Sequence, residues 1–541
     1  MVPRPSGPNG SRSRRCPPIS TEGGAANMSN PALITCGRFG RALPEVQDRA
    51  ARLATALAGV GVGPGDTVAI VMRNDVAFLE VTLAAGLIGA APVPINWHWT
   101  GDDLAHALSD SGAKVVVVHT DLLAAVRERA KPDVAIVEAA VPSEISDAYG
   151  FEAPSTSGDF PLLQDWSTRP EPWSGPTPPA PMSVIYTSGT TGRAKGVLRE
   201  PIRDEDRPHV VSTIAELWHL EPDGTTVVPA PLYHSAPNVH AMFAVAMGMN
   251  VHLMPKFDAE ELLRLIEEHR VDSIQVVPTM LTRLLQLPKE KRNAYDVSSL
   301  KAIVHAAAPC PPHVKTQIID WFGPIVSEYY GGAEIGAFTA CSSAEFLAHP
   351  GTVGRPIEDA DIRILDANGI EVPEGIDGQI YGRCFTGWPD FTYIGDPGKR
   401  ENMERDGYLS LGDIGHVRDG YLYLSDRLTD MVVSGGVNIY PAEIEGCLLE
   451  LDGVADVAVF GIPDADLGEV LAAYIEPSQG KEIDPDAVRA HVASRLARYK
   501  MPREVVITDS LPREDTGKLF KRRLREPYWR DERSLASGES S

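Results

Sequence analysis

Between about residues 41 and 345, short Val- and Ile-rich runs alternate with stretches of helical spacing. No other feature of the chain narrows its fold so far. Residues 67–72, 114–119 and 273–277 read as strands. Phe78, Leu79, Leu83 and Leu87 fit a helix, as do Leu262, Leu263 and Ile266 within 258–269. Strands that are apolar along their whole length are buried on both faces, so the pattern predicts an α/β fold of mostly parallel sheets covered by helices. A Pro/Ser/Gly-rich segment at about 169–182 reads as a surface connection. From about 351 the texture changes. Turn clusters at 351–356, 366–369 and 373–378 separate short strands and predict a small β-rich subdomain. After Asp430 mixed α and β returns, with a helix over 485–498 and a strand over 504–508.

At 541 residues the chain is long enough for two or more domains. It carries 50 Lys+Arg against 74 Asp+Glu, a formal charge of −24, which argues against a nucleic-acid partner and against docking on anionic lipid. The cysteines at 16, 36, 310, 341, 384 and 447 form no CxxC pair, a usage that fits reduced thiols in a cytoplasmic protein rather than disulfides or zinc. No uninterrupted apolar run reaches the length of a membrane span. Residues 1–27 are rich in Pro, Ser, Gly and Arg without a signal-peptide apolar core, and read as a disordered tail ahead of Met28.

Residues 186–197 read Tyr-Thr-Ser-Gly-Thr-Thr-Gly-Arg-Ala-Lys-Gly-Val, directly after the apolar Val184-Ile185. Glycines let a main chain approach a polyanion closely, while hydroxyls and Lys195 supply donors and charge. The spacing is not that of the common P-loop, because Lys195 lies between Ala194 and Gly196. The whole string resembles the phosphate-loop signature of the adenylate-forming superfamily, which includes acyl-CoA synthetases, luciferases and peptide-synthetase adenylation domains.

Four further segments match that family in order and spacing, from Met28 to about Arg525. In Pro231-Leu232-Tyr233-His234 the resemblance implies that His234 borders the acid pocket. Ser235 and Ala236 follow where amino-acid-activating relatives carry an Asp, which disfavours an α-amino acid substrate. Ser327-Glu328-Tyr329-Tyr330-Gly331-Gly332-Ala333-Glu334 resembles the Tyr-Gly-x-Thr-Glu motif. It implies Tyr330 and Gly331 against adenine and Glu334 with Thr187 on Mg²⁺, with Ala333 in place of the usual threonine. Asp413 and Arg427 match the ribose-holding pair, with Leu411 in place of threonine. Lys518, in Thr516-Gly517-Lys518, matches the adenylation lysine, and Lys521-Arg522-Arg523 after it reads as solvated. Gly436 falls in a segment resembling the wall of the pantetheine tunnel, and Thr429 at the hinge between domains.

The resemblance thus implies ATP, Mg²⁺ and coenzyme A as small-molecule partners. Thr187, Ser188, Gly189, Thr190, Thr191, Gly192 and Lys195 would hold the phosphates. It implies an N-terminal domain over 28–428 with acid and ATP sites, a hinge at 429–431, a mobile α+β domain over 432–526 and a frayed tail at 527–541; a homodimer is compatible with it. The acid pocket would be walled by His234, Ala306, Ala307, Ala308, Tyr329, Gly331 and Gly332. These are small or aromatic with no counter-charge, which points to an apolar fatty, aryl or alicyclic acid. The implied reaction is carboxylate activation to an acyl-adenylate, then transfer to CoA. Loading of a carrier protein is the alternative acceptor chemistry, and a non-catalytic nucleotide- or acyl-binding homologue the alternative class.

Overall fold

The computed structural model describes residues 31–187, 193–428, 430–435, 437–464, 466–513 and 519–537, with side chains in the last stretch through Trp529. Their strands form five sheets. The largest has a parallel centre, in which Asn250–Leu253, Thr225–Val228, Ser273–Val276, Ala302–His305 and Val326–Gly332 lie side by side. Gly336–Ser342 then turns back antiparallel to Val326–Gly332. A second, fully parallel sheet joins Ala91–Pro94, Thr67–Val71, Val115–His119 and Ala135–Ala139. The apolar runs read as strands are therefore strands, buried on both faces: Val68, Ala69, Ile70 and Val115 have no exposed surface.

The helices form where spacing and caps agree. Asp258 accepts from the Glu261 N–H at 2.9 Å and starts the helix Ala259–His269, which buries Leu262, Leu263 and Ile266. Asp75 caps Val76–Leu87 in the same way, and this helix is packed on nearly every side. One fully buried carboxylate, Glu80, clamps it to the first helix, Leu43–Gly59, through Arg49 at 2.8 Å. Burial raises the Glu80 pKa and the Arg49 guanidinium opposes the rise.

Two small sheets complete the region before residue 428. A three-stranded antiparallel sheet of Phe391–Tyr393, Lys195–Arg199 and Ile185–Thr187 faces the Val326–Gly332 hairpin. The β-rich subdomain expected after 351 is a sheet of short antiparallel strands, ending in the pair Asp413–Arg418 and Tyr421–Arg427. Beyond it a five-stranded sheet, built on Val454–Asp464 against Gly468–Pro477, carries the helices Pro441–Leu448 and Pro485–Arg495.

The chain's last helix departs from the sequence reading. Residues from 527 read as frayed, yet Lys521–Ser537 is helical across Pro527. Tyr528 explains this, because its hydroxyl bonds Glu504 Oε1 at 2.5 Å and the Tyr474 hydroxyl at 2.9 Å. Lys521 is likewise not solvated: it is 14% exposed and sits 2.8 Å from Glu445. Among the described residues no helix is long and apolar enough to cross a membrane.

One side chain joins the two parallel sheets. Asn74, just past the strand Thr67–Val71, donates to the carbonyls of Ala230 and Met254, both at 3.0 Å, and accepts from the Leu232 N–H at 2.8 Å. It thereby fixes the segment leading to His234. Replacing Asn74 by Ala leaves three buried backbone groups unpaired and is expected to cost about 3 kcal/mol. Urea unfolding measures it, and an unchanged midpoint would contradict this account.

Candidate active site

The hairpin Val326–Gly332 and Gly336–Ser342 turns through Ala333 and Glu334. The Glu334 carboxylate is the point where three segments meet. Its Oε1 accepts from the Thr187 hydroxyl at 3.1 Å and from the Tyr393 hydroxyl at 3.0 Å. Thr187 and Tyr393 end two strands of the three-stranded sheet, so strand pairing sets their positions. Burial, then Glu334, raises the Tyr393 pKa and keeps its proton in place as a donor. Lys195 opens the strand between them and lies opposite Thr187 in register. Its ammonium is paired with Asp396, whose pKa this contact depresses. Lys399 lies 4.1 Å from the Tyr393 ring.

A residue that sequence reading passed over supports this turn from beneath. Arg199 is 7% exposed, and one guanidinium nitrogen donates to the carbonyls of Ala333 at 2.5 Å and Glu334 at 2.9 Å. Its other terminal nitrogen donates to the Pro389 carbonyl at 2.8 Å. Trp388 and Phe391 flank the cation with ring centroids at 5.1 and 5.9 Å. Burial brings its pKa down to about 10, so it remains charged at neutral pH. The signal in the sequence was slight: one arginine closing the strand Lys-Gly-Val-Leu-Arg, where the alternation with Val197 put it on the buried side.

A second cluster forms around Asp413. The Tyr330 hydroxyl donates to Asp413 Oδ2 at 2.5 Å, and Arg427 Nε lies 3.2 Å from Oδ1. Asp413 and Arg427 are register partners on adjacent strands, which is why residues fourteen apart come together. Burial raises the Tyr330 pKa and Asp413 adds to it. The two glycines beside Tyr330 are required by space. A Cβ on Gly331 would lie 1.9 Å from the Gly336 carbonyl oxygen, and one on Gly332 would lie 2.8 Å from the Leu411 side chain. Leu411, a departure from the family motif, thus fills the space over Gly332. Ala333, the other departure, packs against the apolar cluster of Val197, Phe391 and Tyr393.

On the side expected to hold the acid, Ala306 and Tyr329 each follow the registered pair His305–Glu328 on adjacent parallel strands. The Trp218 ring lies 5.9 Å from that of Tyr329. Ala307 adopts φ 77°, a left-handed conformation rare for alanine, which marks a forced turn at this strand end. His234 lies apart from them in the chain, at the N-cap of Ser235–Ala246, with its ring 4.3 Å from Tyr233. Ser188, Gly189, Thr190, Thr191, Gly192, Thr429, Gly436 and Lys518 lie outside the described residues.

The donor set fits Mg²⁺ carried by a nucleotide. Glu334 and Thr187 offer two hard oxygens at one point, and no group of three or more potential metal ligands occurs among the described residues. A cation taking most of its ligands from phosphate and water needs no more.

The family model for AMP-binding enzymes matches residues 30–384, and that for the AMP-binding enzyme C-terminal domain matches 443–518. The chain is 34% identical over 492 residues to a feruloyl-CoA synthase of an Amycolatopsis species, covering 90% of this chain and 93% of the relative. It is 30% identical over 486 residues to the long-chain-fatty-acid–CoA ligase FadD13 of Mycobacterium tuberculosis, covering 88% and 91%. The crystal structure of ATP-bound MatB from Rhodopseudomonas palustris superposes with a TM-score of 0.78 at 28% identity, over 93% of this chain and 97% of that one.

Arg199→Met would strand three carbonyls and is expected to cost about 3 kcal/mol, with Arg199→Lys recovering part of it. Chemical denaturation reads the difference, and equal stability of all three proteins would show that the guanidinium does not hold the turn.

Proposed function

Since the chain belongs to the family of AMP-binding enzymes and is an ATP-dependent acid–thiol ligase, we propose how its residues divide that work. The observation that carries the assignment is the meeting of the Thr187 hydroxyl and the Glu334 carboxylate at 3.1 Å across 147 residues of chain. Glu334 and Thr187 would hold the metal of MgATP, and residues 187–192 with Lys195 its β- and γ-phosphates. Lys195 exchanges Asp396 for phosphate as the nucleotide arrives, so its charge is never left unpaired. Asp413, already oriented by Tyr330 and Arg427, accepts from the ribose hydroxyls, and Tyr330 with Gly331 borders the adenine.

In the first half-reaction one oxygen of the substrate carboxylate attacks the α-phosphorus in line. The bond from α-phosphorus to the bridging oxygen breaks and pyrophosphate leaves. There is little covalent work for a side chain here, so catalysis is positioning and charge stabilisation by Glu334, Thr187, Lys195 and Lys518. Residues 432–526 then turn about Thr429, withdrawing Lys518 and bringing the Gly436 segment to the acid. In the second half-reaction the CoA thiolate attacks the acyl carbon, and AMP leaves with the oxygen that made the first bond. His234, Ala306, Ala307, Ala308, Tyr329, Gly331 and Gly332 surround the acyl group in both steps. Use of ATP and CoA accords with a cytoplasmic enzyme.

Incubation with MgATP and a panel of fatty, aryl and alicyclic acids, with and without CoA, tests the reading by mass spectrometry. Acyl-CoA and AMP are the expected products. Adenylate that CoA fails to discharge would transfer the second step to a carrier protein, and no AMP with any acid would contradict the ligase. Lys518→Ala is expected to slow adenylate formation by about 10²–10³ while sparing thioester formation from supplied acyl-adenylate. Equal loss of both steps would count against the rotation.

A further inference from the structure

The phosphate side of the site carries a second lysine to which no motif assigns a role. The strand Phe391–Tyr393 pairs with Lys195–Arg199, Tyr393 opposite Val197, and the Ile394 N–H donates to the Gly196 carbonyl at 2.9 Å. The chain then turns. The Asp396 N–H donates to the Tyr393 carbonyl and the Lys399 N–H to the Asp396 carbonyl, both at 3.2 Å. These bonds lead into the short helix Pro397–Glu401 beside Lys195. Lys399 is thereby brought back over the face of Tyr393, its ammonium 4.1 Å from the ring centroid. The Tyr393 hydroxyl donates to Glu334 at 3.0 Å, so the ammonium is one phenol ring away from the carboxylate proposed to hold the metal.

Of the three cations around this turn, two have carboxylate partners. Lys195 is paired with Asp396, and Arg400 is held by Asp390 at 3.0 Å and by Glu404. Lys399 makes no ion pair with a described residue. It is half-buried, and burial is what most affects it, lowering its pKa. Glu334 and Asp396 attract its charge from a distance and Lys195 repels it. An aromatic face attracts an ammonium, but the three N–H donors are best met by oxygen. With Glu334 given to the metal and Asp396 to Lys195, no carboxylate remains for Lys399. A partly desolvated cation in that position is a place for an anion.

We propose that Lys399 is a second cationic anchor for the β- and γ-phosphates of MgATP, alongside Lys195. This rests on the ligase reading and adds one residue to its phosphate contacts. When the substrate carboxylate attacks, the bond from the α-phosphorus to the bridging oxygen breaks, and its electron pair leaves with pyrophosphate. Negative charge thus accumulates on the group that Lys195 and Lys399 both hold. A fixed ammonium there tightens bound ATP and stabilises the transition state further. AMP and the acyl-adenylate carry only the α-phosphate, so Lys399 distinguishes ATP from both.

Calorimetric titration of the full chain with MgATP and, separately, with AMP tests the assignment without turnover. Lys399→Met is expected to weaken MgATP by about tenfold or more and AMP by less than about twofold, with Lys399→Arg recovering most of the loss. Lys399→Met is also expected to raise KM for MgATP and to slow adenylate formation. Thioester formation from supplied acyl-adenylate involves no pyrophosphate and is expected to keep its rate. Unchanged MgATP affinity in Lys399→Met would overturn the proposal. Equal loss of MgATP and AMP would overturn it too, as the mark of a site disturbed as a whole. Failure of the unaltered protein to bind either nucleotide would count against the ligase reading, and against this inference with it.

Discussion

The hydrogen bond between Thr187 and Glu334 is the constraint around which the described active-site residues are arranged. It joins the three-stranded sheet, which carries the loop that binds phosphate in the proposed mechanism, to the hairpin that carries Tyr330 and Glu334, the carboxylate proposed to hold the metal. Tyr393 makes the same join from a third segment, and Arg199 braces it from below through backbone carbonyls. A buried cation bonded only to neutral carbonyls is stabilised by their dipoles and the flanking aromatic rings, with Glu334 and Asp390 adding attraction without a direct ion pair. That choice leaves the Glu334 carboxylate free of a permanent ion pair with Arg199.

The departures from the family motifs make sense as packing. Ala333 turns its methyl into the apolar cluster of Val197, Phe391 and Tyr393, where a hydroxyl would be buried among hydrocarbons. Leu411 covers Gly332, at a position where any larger residue on the hairpin would collide with it. Both substitutions sit beside the polar network and leave its members, Glu334, Asp413, Tyr330 and Arg427, in contact.

Much of this was legible in the sequence because it depends on local pattern. Val-rich runs became parallel strands and Asp258 capped the helix expected there, whereas Asp413 and Arg427 were named by the family resemblance and proved to be register partners in one hairpin. What stayed hidden depends on contacts between distant segments. Arg199 reads as an ordinary strand arginine until the turn 134 residues away is placed over it. Lys521 and Tyr528 read as tail residues, because their partners Glu445, Glu504 and Tyr474 lie in other elements.

The chemistry at the centre of this account transfers an oxygen atom, and that can be followed. With the best acid labelled in both carboxylate oxygens with ¹⁸O, MgATP and CoA, mass spectrometry of the products should find one ¹⁸O in AMP and one in the acyl-CoA carbonyl, with none in pyrophosphate. Label in inorganic phosphate with formation of ADP, or AMP free of label, would contradict attack of the carboxylate on the α-phosphorus at the Thr187–Glu334 site.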